Sequence, residues 1–392
     1  MDGSLTAELC HDFVDQLETT SLGANEPSAL RFRVGLAWQA CGENERSRGA
    51  YAAIQGDDLL FAAAQNNLAV LASRSGLRSQ AKHHLLQAIQ HDPSLRVAQI
   101  NLGHADRKRY RASGTLDAFE SSQRRFQSVL LMDPEDSDAH IGLARLYYDR
   151  AAHGQSSYAV LARFALGEAA RLEAARGVRS AESINLAGLL DLHSGHVSRA
   201  LRGFEDAISI DPNALAPRIN AAYVLLRTRD FRAAARHLEV ASGSLGERSV
   251  TVALALGVAR TGSKDFDQAL EAYGHARELG PSDPRVDYNV AALHEHQLFP
   301  TVDGDPLDSL RAAVDHYERF LARAVGDPRY ASAAARAQAR LEALRGWDDV
   351  VCRPTLNDDV AVELERLYRE QEALERARLL ELERRALEAL SK

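Results

Sequence analysis

Cysteine is nearly absent from this chain. Cys10, Cys41 and Cys352 are its only three, and they stand far apart. That spacing excludes a C-x-x-C zinc site and a disulfide framework, so the three are read as incidental. Lysine is almost as scarce: only Lys82, Lys108, Lys264 and Lys392 among 47 basic residues, the other 43 being arginine. With a formal net charge of -8 and a pI near 6.0, the chain is not a general nucleic-acid binder, because a phosphate backbone attracts an excess of cations. Long apolar runs are missing too. None approaches the roughly 18 residues of a membrane span, and the first two dozen residues lack the basic start and apolar centre of a secretory signal. A soluble protein is expected, in the cytoplasm or, with a leader removed, in the periplasm. Proline is also sparse, 11 in 392 residues. The abundance of Ala, Leu, Arg and Glu beside it favours helix over sheet, and the sequence reads as all-α.

What is present is repetition. Sliding the chain along itself gives an offset of about 34 residues. The clearest unit runs from Phe61 through Ala81, Leu85 and Ala88 to Asp92-Pro93, two amphipathic helices broken at Gly76. Its echo carries Gly188, Gly195, Ala200, Phe204, Ala207 and Asp211-Pro212. Pro ends a helix because it donates no hydrogen bond and disfavours helix in the residue before it.

This pattern resembles the tetratricopeptide repeat, with small residues at positions 8, 20 and 27, an aromatic at 24 and Pro at 32 of each unit. Eight units fit, starting at Ser28, Ala62, Arg96, Ser137, Ala181, Leu215, Val250 and Pro284. Position 8 is then Gly35, Ala69, Gly103, Ala144, Gly188, Ala222, Gly257 and Ala291, small every time. Small residues belong where helices cross, since a large side chain would hold the backbones apart. The consensus Trp at position 4 is missing throughout. Units starting at Arg96, Ser137 and Pro284 span 41, 44 and 44 residues, so their helices are longer or their loops carry insertions.

The resemblance implies a right-handed superhelical solenoid of antiparallel helix pairs. Its expected organisation is a lead-in over 1–27, the repeat array over 28–346 with a capping helix at Arg329–Leu344, a linker over 347–357, and a long Glu/Arg-rich helix over 358–392. In that last segment Leu364, Leu367, Tyr368, Leu374 and Leu382 fall on one broad apolar face. At 1.5 Å per residue it would reach roughly 50 Å. It is read as a second contact surface, either for a partner or for homo-oligomerisation.

Catalytic and metal motifs fail one by one. Gly257 and Gly262 have phosphate-loop separation, but Ser263-Lys264 follow in the wrong order and no strand precedes them. His294-Glu-His296 has Leu298 where a zincin helix places its second ligand. His193 and His196 are separated by Gly195, and Asp303, Asp305 and Asp308 lack the EF-hand order. No cofactor or metal is expected, and the chain is read as no enzyme.

Recognition remains. The family builds its inner face from positions 2, 5, 9, 12 and 13 of each first helix. In this chain those positions include Val70, Ile100, His104, Arg107, Lys108, Ile141, Arg145, Tyr148, Leu189, Leu192, Ile219, Tyr223, Leu226, Arg227, Val258 and Tyr288. The row is apolar and aromatic at its centre, with cations toward the N-terminal side. It suits an amphipathic helix or apolar peptide that carries acidic residues. No unit holds the Lys/Asn pair with which chaperone-docking members clamp a carboxylate. The run Arg107-Lys-Arg-Tyr-Arg111 also suits the negative pole of a helix end. The expected function is a scaffold for protein partners. Alternatives are a regulatory subunit or domain of an enzyme, or self-assembly through the terminal helix. Arg-heavy arrays with Glu/Arg-rich tails are also similar to repeat proteins of bacterial envelope and gliding-motility assemblies.

Overall fold

The computed structural model describes residues 11–12, 14, 16–17, 27–243, 249–295 and 306–351. Among these residues it is all helix, in two compact units, 1–224 and 225–392. In the first, α1 (Pro27–Ala40) pairs with α2 (Asn44–Ala52), α3 (Phe61–Arg74) with α4 (Arg78–His91), and α5 (Arg96–Ser113) with α6 (Leu116–Met132). Next, α7 (Ser137–Ala152) pairs with α8 (Tyr158–Ala175) and α9 (Ala181–His193) with α10 (Val197–Ile210). The division falls inside α11 (Leu215–Arg227). The second unit holds α12 (Phe231–Gly243), α13 (Val250–Ser263), α14 (Phe266–Leu279), α15 (Pro284–Leu293) and α16 (Pro306–Ala324). A short 3-10 turn at Pro328–Tyr330 then leads into α17 (Ala331–Val351).

First helices begin at Arg96, Ser137, Ala181, Leu215, Val250 and Pro284, where the repeat register places them. Several starts are capped: the Asp136 and Ser180 side chains accept from the backbone N–H of Ala139 and Ser183, and Ser249 does the same for Val252. Each such bond satisfies a donor that has no partner within its helix. Helix length explains the long units that start at Arg96 and Ser137. Helices α5 to α8 have 18, 17, 16 and 18 residues, against 14 in α3 and α4.

Position 15 of five units adopts a left-handed backbone to turn the chain between helices. Gly42, Gly76 and Gly195 do so in unit 1, with φ of 80°, 77° and 79°. In unit 2 Arg229 and Lys264 take the same conformation, with φ of 62° and 67°.

The crossings show why position 8 is small. A Cβ built on Gly35, Gly103, Gly188 or Gly257 would lie 2.5, 2.8, 2.6 or 2.2 Å from a ring carbon of Tyr51, Phe126, Phe204 or Tyr273. Four glycines thus each face an aromatic ring of the second helix. At Ala69, where alanine takes the place, the opposing buried residue is the smaller Leu85. Between that crossing and the four glycine–ring ones volume is exchanged from one helix to the other, as a close-packed interior requires. Two crossings add a hydrogen bond: the buried Ser47 and Ser122 hydroxyls donate to the carbonyls of Gly35 and Gly103, each at 2.8 Å.

Consecutive units are joined by side-chain amides as well. Asn101 Nδ2 donates to Asn66 Oδ1 and Asn220 Nδ2 to Asn185 Oδ1, both at 2.8 Å. Two readings from sequence change. Cys41 is disulfide-bonded rather than incidental, because spacing along the chain says nothing of which sulfurs meet in space; the other two cysteines lie outside the described residues. The last helix also runs past Trp347 to Val351. The segment 358–392, with Leu364, Leu367, Tyr368, Leu374 and Leu382, lies outside the described residues.

Candidate functional site

In unit 1 the first helices α5, α7, α9 and α11 carry most of the residues expected on the inner face. Arg107, on α5, donates from Nη1 to Asp149 Oδ2 of α7 at 2.7 Å, and Arg111 approaches the other oxygen at 3.7 Å. Arg145 of α7 reaches Glu182 of α9 at 2.7 Å. Arg109 turns to the other side of its helix, toward Asp106 and Asp117. The basic run is therefore divided between two faces. Burial works against both charges of the Arg107–Asp149 pair, pushing the guanidinium pKa down and the carboxyl up. A buried ion pair of this kind contributes less than its short distance suggests, since both ions give up hydration.

Beside them His104 stands edge-on to the Phe126 ring, with centroids 5.1 Å apart. Burial, reinforced by Arg107, Arg145 and Lys108, pulls its pKa down to about 4. In the unfolded chain it titrates near the ordinary value of about 6.5. Between those values the unfolded state takes up a proton that the folded state refuses, so stability falls as pH drops from about 6.5 to about 4. His104→Gln is expected to gain on the wild type progressively through that window in urea denaturation curves. His84 and His294, also held low by burial, leave a residual slope.

The remaining expected residues separate into surface and core. Tyr223 is 53% exposed, and Lys108 is exposed. Val70, Tyr148 and Ile219 are half-buried. Leu189 and Leu192 are half-buried against the cluster around Phe204, and Ile100 and Ile141 are buried outright. Helical spacing selects a face, and part of that face lies under the neighbouring unit.

In unit 2 the α11 residues Leu226 and Arg227 are half-buried and exposed. Tyr288 and Val258 line an open pocket of about 200 Å³ between α13, α15 and the final helices. Leu254, Ala255, Phe320 and Ala333 make its apolar wall, and Thr251, Arg285, Asn289 and Tyr330 supply polar atoms. Arg285 is held by Asp283 at 2.7 Å, with Thr251 3.3 Å away. Thr251, Leu254 and Arg285 occupy positions 2, 5 and 2 of their units, so the register could have singled them out. Tyr330 and Ala333 follow the last repeat and had no such signal.

Deeper in unit 2, Asp287 is wholly buried and receives Arg277 at 2.9 Å, Arg323 at 2.6 Å and His316 at 2.9 Å. The His294 and His316 rings stack with centroids 6.1 Å apart. Glu295 accepts from Tyr317 Oη at 2.9 Å and pairs with Arg340. Among the described residues no three metal-ligating side chains converge, and no helix is long and apolar enough to cross a membrane.

No protein-family profile matches the chain. No curated protein matches it either. Solved structures do. The chain is similar to the APC/C hetero-tetramer Cut9–Hcn1, with a TM-score of 0.52 at 18% identity over 85% of this chain and 67% of that one. It is also similar to a tetratricopeptide repeat protein of Parabacteroides merdae, at TM-score 0.47 and 15% identity over 67% and 97% of the two chains. A third likeness is to pilF of Pseudomonas aeruginosa, at 0.42 and 17% over 62% and 96%. With its paired helices, small residues at the crossings and consecutive packing, the chain has the fold of the tetratricopeptide repeats.

Proposed function

We propose that this chain is a non-catalytic scaffold that holds protein partners on the faces of its first helices, as part of a multiprotein assembly such as a bacterial envelope or motility machine. The observation that carries the reading is the unit 2 pocket. Half of its lining comes from positions 2, 5 and 9 of consecutive first helices, through Thr251, Leu254, Val258, Arg285 and Tyr288. An apolar hollow with a few polar groups at its edge accepts a buried anchor side chain, and such anchors dominate binding energy. The pocket brings together no nucleophile with a base, so it offers recognition rather than chemistry.

Selection of a random peptide library on the full chain tests this. Enriched peptides are expected to share a large apolar residue, and Val258→Glu is expected to weaken them about a hundredfold, since it places a charge against the anchor. A library that yields no enriched peptide, or peptides indifferent to Val258→Glu, would remove the basis for the reading.

A further inference from the structure

The inner face of unit 1 is chemically unlike the pocket of unit 2. Arg107, Arg111 and Arg145 meet two carboxylates there, Asp149 and Glu182, and Lys108 adds its charge beside His104. Asp149 is shared between Arg107 and Arg111. Lys108 is exposed, and none of the ion pairs formed among the described residues includes it. Arg107 is also buried enough that its Nε has no exposed surface, and that N–H meets no acceptor. A buried donor without an acceptor is costly, of the order of 1–3 kcal/mol. That Nε is out of reach of a docked partner, so what the face offers is positive charge beyond what its own carboxylates balance. The chain as a whole carries a net charge of -8, so the excess is local. Next to the cations, Tyr148 is half-buried and Tyr223 is 53% exposed, each supplying an apolar ring with a polar tip.

We propose that this face docks an acidic segment of a protein partner, whose carboxylates meet Lys108, Arg107 and Arg145 while an apolar side chain beside them rests on Tyr148 and Tyr223. The inference rests on the reading of the chain as a protein-binding scaffold and names the chemistry of one partner. A carboxylate between Arg107 and Arg145 supplies an acceptor for guanidinium donors, and charge-assisted bonds of this type are about twice as strong as neutral ones. Burial first, and the neighbouring cations after it, lower the pKa of both Arg107 and His104. The two rings favour a polypeptide with alternating apolar and acidic residues over a uniformly charged polyanion. A helix-end explanation covers Arg109 and Arg111, but not Arg145, which lies midway along α7.

The test uses the full chain and two fluorescein-labelled helical peptides with the same leucine pattern, one filled with glutamate and one with lysine. The glutamate peptide is expected to bind, to weaken with added salt, and to lose about tenfold in affinity with Lys108→Glu and with Arg145→Gln. Lys108 is exposed, so Lys108→Glu is expected to leave the circular dichroism spectrum and the melting temperature unchanged. Val258→Glu, in the other unit, is expected to remove any binding that the leucines find in the apolar pocket and to leave the preference for the glutamate peptide over the lysine peptide unchanged. Equal binding of both peptides, or binding of neither, would overturn the proposal. Loss with Val258→Glu but not with Lys108→Glu would overturn it while leaving the scaffold reading in place. Tighter binding of an oligothymidine with the same dependence on Lys108 would reassign the face to nucleic acid. Light scattering that finds a dimer dissociated by Lys108→Glu would reassign it to a second copy of the chain.

Discussion

Asp287→Ala is expected to cost the second unit about 3 kcal/mol. Its carboxylate is wholly buried and holds Arg277, Arg323 and His316, from α14 and α16, against α15. Removing one partner of a buried ion pair costs about 3–5 kcal/mol when the other is stranded in the interior. Here Arg277 and Arg323 keep 33% and 38% of their side chains exposed, so both can turn back toward water. That places the loss near the lower end of the range. His316, only 16% exposed, has less freedom. Urea denaturation followed by circular dichroism measures the change, with Asp287→Asn expected to lose less because the amide still accepts a hydrogen bond. A loss below about 1 kcal/mol would mean that the pairs behave like surface ones.

The second large effect is expected at Gly188. A Cβ there would lie 2.6 Å from Phe204 and 3.2 Å from the carbonyl oxygen of Ala200, and the backbone atom cannot move aside alone. Two effects oppose each other in Gly188→Ala. Alanine gains about 1 kcal/mol in helix propensity, while overpacking costs about 1–3 kcal/mol. A net loss of about 1 kcal/mol follows for alanine, and one of about 3 kcal/mol for Gly188→Leu, which has far more volume to place. The chain contains its own control, since Ala69 with Leu85 fills an equivalent crossing. Gly188→Ala combined with Phe204→Leu reproduces that pair and is expected to lose less than the two single changes added together, with a coupling of about 1 kcal/mol. Strict additivity in the double-mutant cycle would show that the ring does not set the size of position 8.

These two sites mark the limits of what the sequence discloses. The alternation of small and large residues is a one-dimensional record of which helix face is covered. It therefore gave the starts of six first helices, and it identified Gly188 as a crossing. The pairing of Gly188 with Phe204 is readable once both lie in one register. Asp287 is not. It sits at position 4, where the family carries tryptophan, and its three cationic partners come from positions 10, 29 and 36 residues away, with no common period. The same holds for Arg107, whose partner Asp149 is 42 residues distant. Ion pairs depend on side-chain rotamers at the ends of long chains, and periodicity does not encode these. Ile100 and Ile141 teach a related lesson, because position within a helix fixes direction but not how far the next helix reaches over it.

The left-handed turns have a consequence for how the molecule comes apart. An L-residue with a side chain disfavours that conformation by roughly 1–2 kcal/mol, an expense glycine escapes. Gly42, Gly76 and Gly195 make the turn in unit 1, whereas Arg229 and Lys264 make it in unit 2. Backbone tension of this kind is thus confined, among the described residues, to the C-terminal half. On gradual heating that half should give way first, leaving the earlier hairpins folded as a thermal intermediate.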